Sequence, residues 1–181
     1  MMRFPNLLRP FKRFRKDESG HSVIEFAITF PAMLFLLLSG VELALISLQH
    51  SMLERAMDMT VRDIRLSTGS APQHDDIKEL LCQRAGFIDN CSDNMLLEMV
   101  LLDPRNWTGI SAQATCTDAS EEVQPKTEFK NDAEENDLMI LRACAKITPV
   151  FPTTGLGKNI DKDGAGQFQL VSISAFVQEP R

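Results

Sequence analysis

Cysteine is scarce in this chain, four in 181 residues, which excludes a small scaffold held together by dense disulfides. No internal repeat is visible, which excludes solenoids and propellers. There is no excess of positive charge, since 19 Lys and Arg stand against 25 Asp and Glu for a net charge of -6, and this disfavours a nucleic-acid binder. Catalytic signatures are also missing: there is no G-x-S-x-G and no H-E-x-x-H. Gly155, Gly157 and Lys158 lack the spacing and the following Ser or Thr of a P-loop. With no C-x-x-C, and His21, His50 and His74 scattered, no metal or redox centre is indicated either. The expectation is a non-enzyme without cofactor or small-molecule substrate.

What is present is segregated. Six of the 19 basic residues (Arg3, Arg9, Lys12, Arg13, Arg15 and Lys16) fall in residues 1–16, which contain no acid, so residues 17–181 hold 13 basic against 25 acidic residues, a formal charge of -12. A split of this size suggests two compartments. Between the two regions, Phe26 to Val41 is free of charge, and the apolar pattern resumes after Glu42 as far as Leu48. A helix over those 23 residues reaches about 34 Å, enough for one crossing of a hydrocarbon core of about 30 Å. Leu34 to Leu38 is apolar on every face, unlike a helix buried in a small soluble domain, and no A-x-A site closely follows the run, so a retained signal anchor is expected.

Six Lys and Arg precede the span, whereas Gln49 to Arg65 contains three, matched by Glu54, Asp58 and Asp63. The positive-inside rule then places the N-terminus in the cytoplasm and the rest outside the inner membrane of a bacterium, where cysteines can pair. All four cysteines, Cys82, Cys91, Cys116 and Cys144, lie on that outer side. Beyond the bilayer the helix is expected to continue to about residue 66, with Val41, Leu45, Leu48, Met52, Ala56 and Met59 as an apolar stripe that needs a partner. Glu42 interrupts the run near the outer interface, where it either pairs in an assembly or reaches the headgroups, the second being the preferred reading.

Gly20 to Phe26 reads GHSVIEF, between the basic leader and the apolar run. A carboxylate so close to the hydrocarbon is costly and calls for a partner. If a peptidase cut after Gly20, the new α-amine of His21 would supply one for Glu25, on the same or a neighbouring subunit. The alternative is that Glu25 snorkels to the cytoplasmic interface of an uncut anchor.

A short basic leader, Gly, four residues, Glu and an apolar helix resemble the type IV prepilin class. Within it, Gly20, Glu25, Phe26, Ala27 and Pro31 resemble the TadE-like family of tight-adherence pilus assembly proteins. Ser172 to Pro180 is similar to the closing strand, ending in Glu-Pro, of such chains. The resemblance implies cleavage between Gly20 and His21 by a prepilin peptidase, Glu25 as position five of the mature chain, and a minor pilin or pseudopilin. Phe26 stands where prepilins of this pilus often carry Tyr. The implied partners are other pilins, platform proteins of the pilus and the peptidase.

In the outer part, acids open Gln73 to Ala85, and Ile77, Leu80, Leu81 and Ala85 recur at helical spacing, so a second helix stopped by Gly86 is expected. Strand candidates follow at 95–102, 138–148 and 167–177, with a weaker one at 110–117. In the second, Leu141, Ala143, Ala145 and Ile147 alternate with Arg142, Cys144 and Lys146; in the third, Phe168, Leu170, Ile173 and Phe176 are the core candidates. Residues 118–137 are rich in acids and poor in apolar side chains, which reads as a solvated loop. Asp161, Asp163 and Gly164 start like a calcium loop, but Ser172 stands where the bidentate Glu belongs, so a hairpin turn is expected. Four cysteines allow three pairings and sequence does not decide among them. The preferred one joins Cys82 to Cys91, tying the helix end to the first strand, and Cys116 to Cys144, tying two strand regions across the acidic segment.

The expected architecture is α+β: a basic cytoplasmic leader (1–20), a transmembrane and stalk helix (21–66, span about 26–48), and a pilin-like head (67–181) with one helix and an antiparallel sheet. The expected function is a minor pilin or assembly component of a tight-adherence (Flp-type) pilus. The rival reading is an uncleaved single-pass membrane sensor or periplasmic binding module.

Overall fold

The computed structural model describes residues 21–66, 73–103, 105, 111, 113–121, 125 and 137–177. The basic leader with Gly20, the turn at 67–72, most of the 118–137 acidic segment and the Glu179-Pro180 terminus lie outside the described residues. Helix α1 runs His21–Leu66, 46 residues continuing through Pro31. It is followed by α2 (His74–Arg84), the single turn α3 (Cys91–Asn94), β1 (Met95–Leu102), β2 (Leu138–Ile147), the short α4 (Gly155–Asn159) and β3 (Phe168–Val177). The three strands form one antiparallel sheet in the order β1-β2-β3. This is the α+β arrangement expected: a long apolar helix leading into a small domain with a helix and a three-stranded sheet.

Alternation decides the two faces of the sheet. Met95, Leu97 and Met99 of β1, Met139, Leu141, Ala143, Ala145 and Ile147 of β2, and Phe168, Leu170 and Phe176 of β3 are buried in a single core. On the helical side that core takes Leu53, Ala56, Met57, Val61 and Ile64 of α1 and Ile77 and Leu81 of α2. The stalk half of α1 therefore finds its partner in its own head.

Two expectations are corrected. The stripe that α1 buries is Leu53, Ala56, Met57, Thr60, Val61 and Ile64, whereas Val41, Leu48, Met52 and Met59 remain exposed. Apolar residues on every face of the preceding run blurred the phase. In β3, Ile173 is 58% exposed, because it pairs with Arg142 on the opposite face from Phe168, Leu170 and Phe176.

That opposite face carries Arg142, Cys144 and Lys146 of β2, yet all three are buried. The segment before Asp118 lies over them. Arg142 Nη1 donates to the Gln113 carbonyl and Nη2 to the Ser111 carbonyl, each at 3.0 Å, and Cys116 is bonded to Cys144. The described part of the 110–117 candidate, Ser111 and Gln113–Thr117, is accordingly not a strand. The Arg142 guanidinium from β2 satisfies the Ser111 and Gln113 carbonyls in place of a ladder.

Candidate functional site

The processing motif opens α1. His21, Glu25 and Phe26 lie on its first turns, all exposed. Phe26 stacks on Phe30 with ring centroids 5.0 Å apart, and Thr29 Oγ1 donates to the Glu25 carbonyl at 2.9 Å, which keeps that hydroxyl from facing lipid unpaired. From His21 to Leu37 no described part of the head covers the helix, and Val23, Ile24, Phe26, Ile28, Phe35 and Leu36 are all more than half exposed. This exposed stretch lies in the one helix long and apolar enough to cross a membrane among the described residues.

Coverage begins at Leu38 and Ser39. Glu42, five residues past Leu37, is 2% exposed. Its Oε1 accepts the N–H of Val150 at 3.0 Å and its Oε2 the N–H of Phe151 at 2.9 Å. Glu42 thus does not reach for headgroups, as expected from sequence, but holds a loop of its own head 108 residues away. Charge-assisted bonds of this kind offset the cost of burying a carboxylate. The loop is built to come close. Gly155, at φ +54°, opens α4 against Ser39, and a side chain there would run into the Ser39 hydroxyl. Gly157 is similarly confined by the Phe151 carbonyl. Lys162 Nζ donates to the carbonyls of Pro152 at 3.1 Å and Gly157 at 2.6 Å, closing the loop from the other side. Gly155 thus lets α4 approach α1, Gly157 lets the loop fold tightly on itself, and Lys158 stays exposed.

Further along, His50 Nε2 lies 3.2 Å from the Val171 carbonyl oxygen. Arg84 of α2 pairs with Asp63 and donates to Thr60 Oγ1 at 3.3 Å. Under the 111–121 segment, Arg142 Nη1 lies 3.3 Å from Glu98 Oε2, and Lys146 Nζ donates to Asp163 Oδ2 at 2.9 Å. Asp163 Oδ1 accepts the amides of Ala165 and Gln167. A turn closes over Asp163–Gln167 ahead of β3, with an ammonium from β2 seated on Asp163, but it is not the hairpin expected, because the β2–β3 connection is long and contains α4. The cysteines form two bridges, Cys82–Cys91 with Cα atoms 5.7 Å apart and Cys116–Cys144 at 5.3 Å. The first fixes the end of α2 to α3, and the second fixes the covering segment to β2. No group of three His, Cys, Asp or Glu residues suited to a metal occurs among the described residues.

The structure brings the sequence motifs together only in part. His21, Glu25 and Phe26 share one end of α1, far from the cysteines. The functional candidate missed in sequence was the pairing of Glu42 with Val150 and Phe151, although a lone acid in an apolar run was the signal that it had a partner. A family model described as TadE-like protein matches residues 20–62. The match starts at the proposed cleavage glycine, covers the whole apolar segment and stops before the head; it supports a membrane anchor associated with pilus assembly. No curated protein and no solved structure matches the chain.

Proposed function

Taking the TadE-like match over residues 20–62 as premise, we propose that this chain is a minor pilin or assembly component of a tight-adherence (Flp-type) pilus. In this reading α1 crosses the bacterial inner membrane once, with residues 1–20 cytoplasmic and the disulfide-bonded head periplasmic. A prepilin peptidase cuts between Gly20 and His21, and the α-amine of His21 meets the Glu25 carboxylate of the same or a neighbouring subunit. Other pilins and platform proteins pack against the uncovered apolar segment. The protein acts by position rather than by chemistry, priming or anchoring a filament.

The observation that carries the reading is the conjunction of Gly20, Glu25 and an apolar helix left bare by its own head over residues 21–37. Its test is intact mass and N-terminal sequencing of the membrane-purified protein from cells with and without the peptidase. A mature chain beginning at His21 only when the peptidase is present is the expected result. An intact Met1 in both strains sinks the processing step, and deletion of the chain without effect on piliation sinks the pilus role.

A further inference from the structure

The head touches α1 at a level where the helix is still apolar. From His21 to Leu38 the helix rises about 27 Å, already close to a hydrocarbon thickness of about 30 Å. The apolar run nevertheless continues past Ser39 through Val41, Leu43, Leu45, Ile46 and Leu48. Residues 149–159 of the head pack beside exactly that continuation, with Gly155 against Ser39 and the amides of Val150 and Phe151 on Glu42. If α1 spans, this end of the head sits at the outer boundary of the bilayer.

The composition of that end fits such a position. Residues 148–160 read TPVFPTTGLGKNI, with no acid and one lysine, on a part of the chain (17–181) whose formal charge is -12. Val150 is 56% exposed, and Val41 and Leu43, which flank its partner Glu42 on α1, are about half exposed. Glu42, the acid that α1 brings to this level, is turned inward and occupied by backbone amides, and the next acid of the loop, Asp161, comes only after the segment ends. Lys162 closes the loop and Lys158 stands exposed in α4. Apolar tips beside an exposed lysine, Lys158, and continuous with a bare apolar helix are the chemistry of a surface that meets anionic headgroups and the first part of the acyl chains.

We propose that the Pro149–Pro152 loop is a second membrane contact, which seats the head on the surface of an anionic phospholipid bilayer, with Glu42 as the residue that holds it there. The proposal rests on α1 spanning the membrane. It goes beyond anchoring, because it fixes the height and tilt of the head: a stalk helix held at one point swivels, whereas one with a loop in the headgroup layer presents a defined face to its neighbours.

The test uses the full chain in vesicles of phosphatidylglycerol and phosphatidylethanolamine, with Trp107 replaced by Phe and one tryptophan introduced at a time. Probes are Val150→Trp, Thr153→Trp just after that loop, Ile28→Trp near the middle of the bare segment, and Gln83→Trp on α2, whose neighbour Arg84 reaches α1 at Asp63. Brominated lipids with shallow or deep bromines report depth by loss of fluorescence. The expected pattern is Ile28→Trp quenched by deep bromines, Val150→Trp and Thr153→Trp quenched by shallow bromines, and Gln83→Trp unquenched. Deep quenching of Ile28→Trp with Val150→Trp and Thr153→Trp unquenched overturns the loop contact and leaves the anchor standing. An unquenched Ile28→Trp overturns the spanning reading and the loop contact with it.

Discussion

At the scale of single residues, a carboxylate inside an apolar run is tolerated only if its oxygens are occupied, and Glu42 spends both on the amides of Val150 and Phe151. Removing it leaves two amides with no acceptor and opens a gap beside α1. Glu42→Ala should destabilise the head by about 1–3 kcal/mol, read as a lower denaturation midpoint of the chain in detergent, and should raise hydrogen exchange at those two amides first. Unchanged protection there would mean the contact does not hold the loop. Asp118 makes a weaker, purely local statement. The hydroxyl and amide of Ser120 donate to its carboxylate and hold it below the usual aspartate range. Since the folded value lies below the unfolded one, its contribution is present above the unfolded carboxylate's range and disappears as pH falls through the lowered value. Ser120→Ala should move the Asp118 titration, followed by NMR, back upward; an unmoved midpoint would assign the shift elsewhere.

At the scale of elements, the contact between α4 and α1 depends on a backbone that only glycine adopts easily. Gly155 combines φ +54° with a Cβ position already taken by Ser39. Gly155→Ala should cost roughly 1–2 kcal/mol in backbone strain alone, and more from the collision. The measurement is thermal unfolding of the head, with Gly86→Ala, where a Cβ meets nothing, as the comparison. Equal melting of the two variants would show that α4 is not pressed against α1.

The same scale shows what was legible in the sequence. The three strands are bounded by turn residues, and the second alternates, so their extents, 95–102, 138–147 and 168–177, lie within a residue of the expectation. α2 announced itself through acids at its start and Ile77, Leu81 and Ala85 at helical spacing. The face of α1 did not, because a helix that must satisfy lipid first and a core second carries apolar residues in more than one phase. Leu53, Met57 and Ile64, rather than Met52 and Met59, are the ones that meet the sheet. Arg142 and Lys146 looked like solvent-facing members of an alternating strand. They are buried because a distant segment folds over them, and such coverage leaves no local mark. The partners of Glu42 were equally invisible, since a bond spanning more than a hundred residues is a property of the tertiary fold.

For the whole molecule, the decisive feature is that helix and head share one core. Five buried apolar residues of α1, from Leu53 to Ile64, pack with α2 and the sheet, so the boundary near residue 66 divides the chain in sequence but cuts through its packing. A head begun at residue 67 lacks one wall of its core and would expose the inner faces of β2 and β3 to water. A chain begun at residue 39 keeps Glu42, the Ser39 contact and the whole buried stripe while losing the bare apolar segment. The longer fragment should therefore be soluble and melt cooperatively with both disulfides formed, and the shorter one should aggregate or show no cooperative transition by circular dichroism. A cooperative melt from the 67–181 fragment would show the head to be independent of the helix, and α1 would then be a tether. Without one, any force acting on the stalk is transmitted to the sheet through Leu53, Met57, Val61 and Ile64, and so the head turns with α1 as one body.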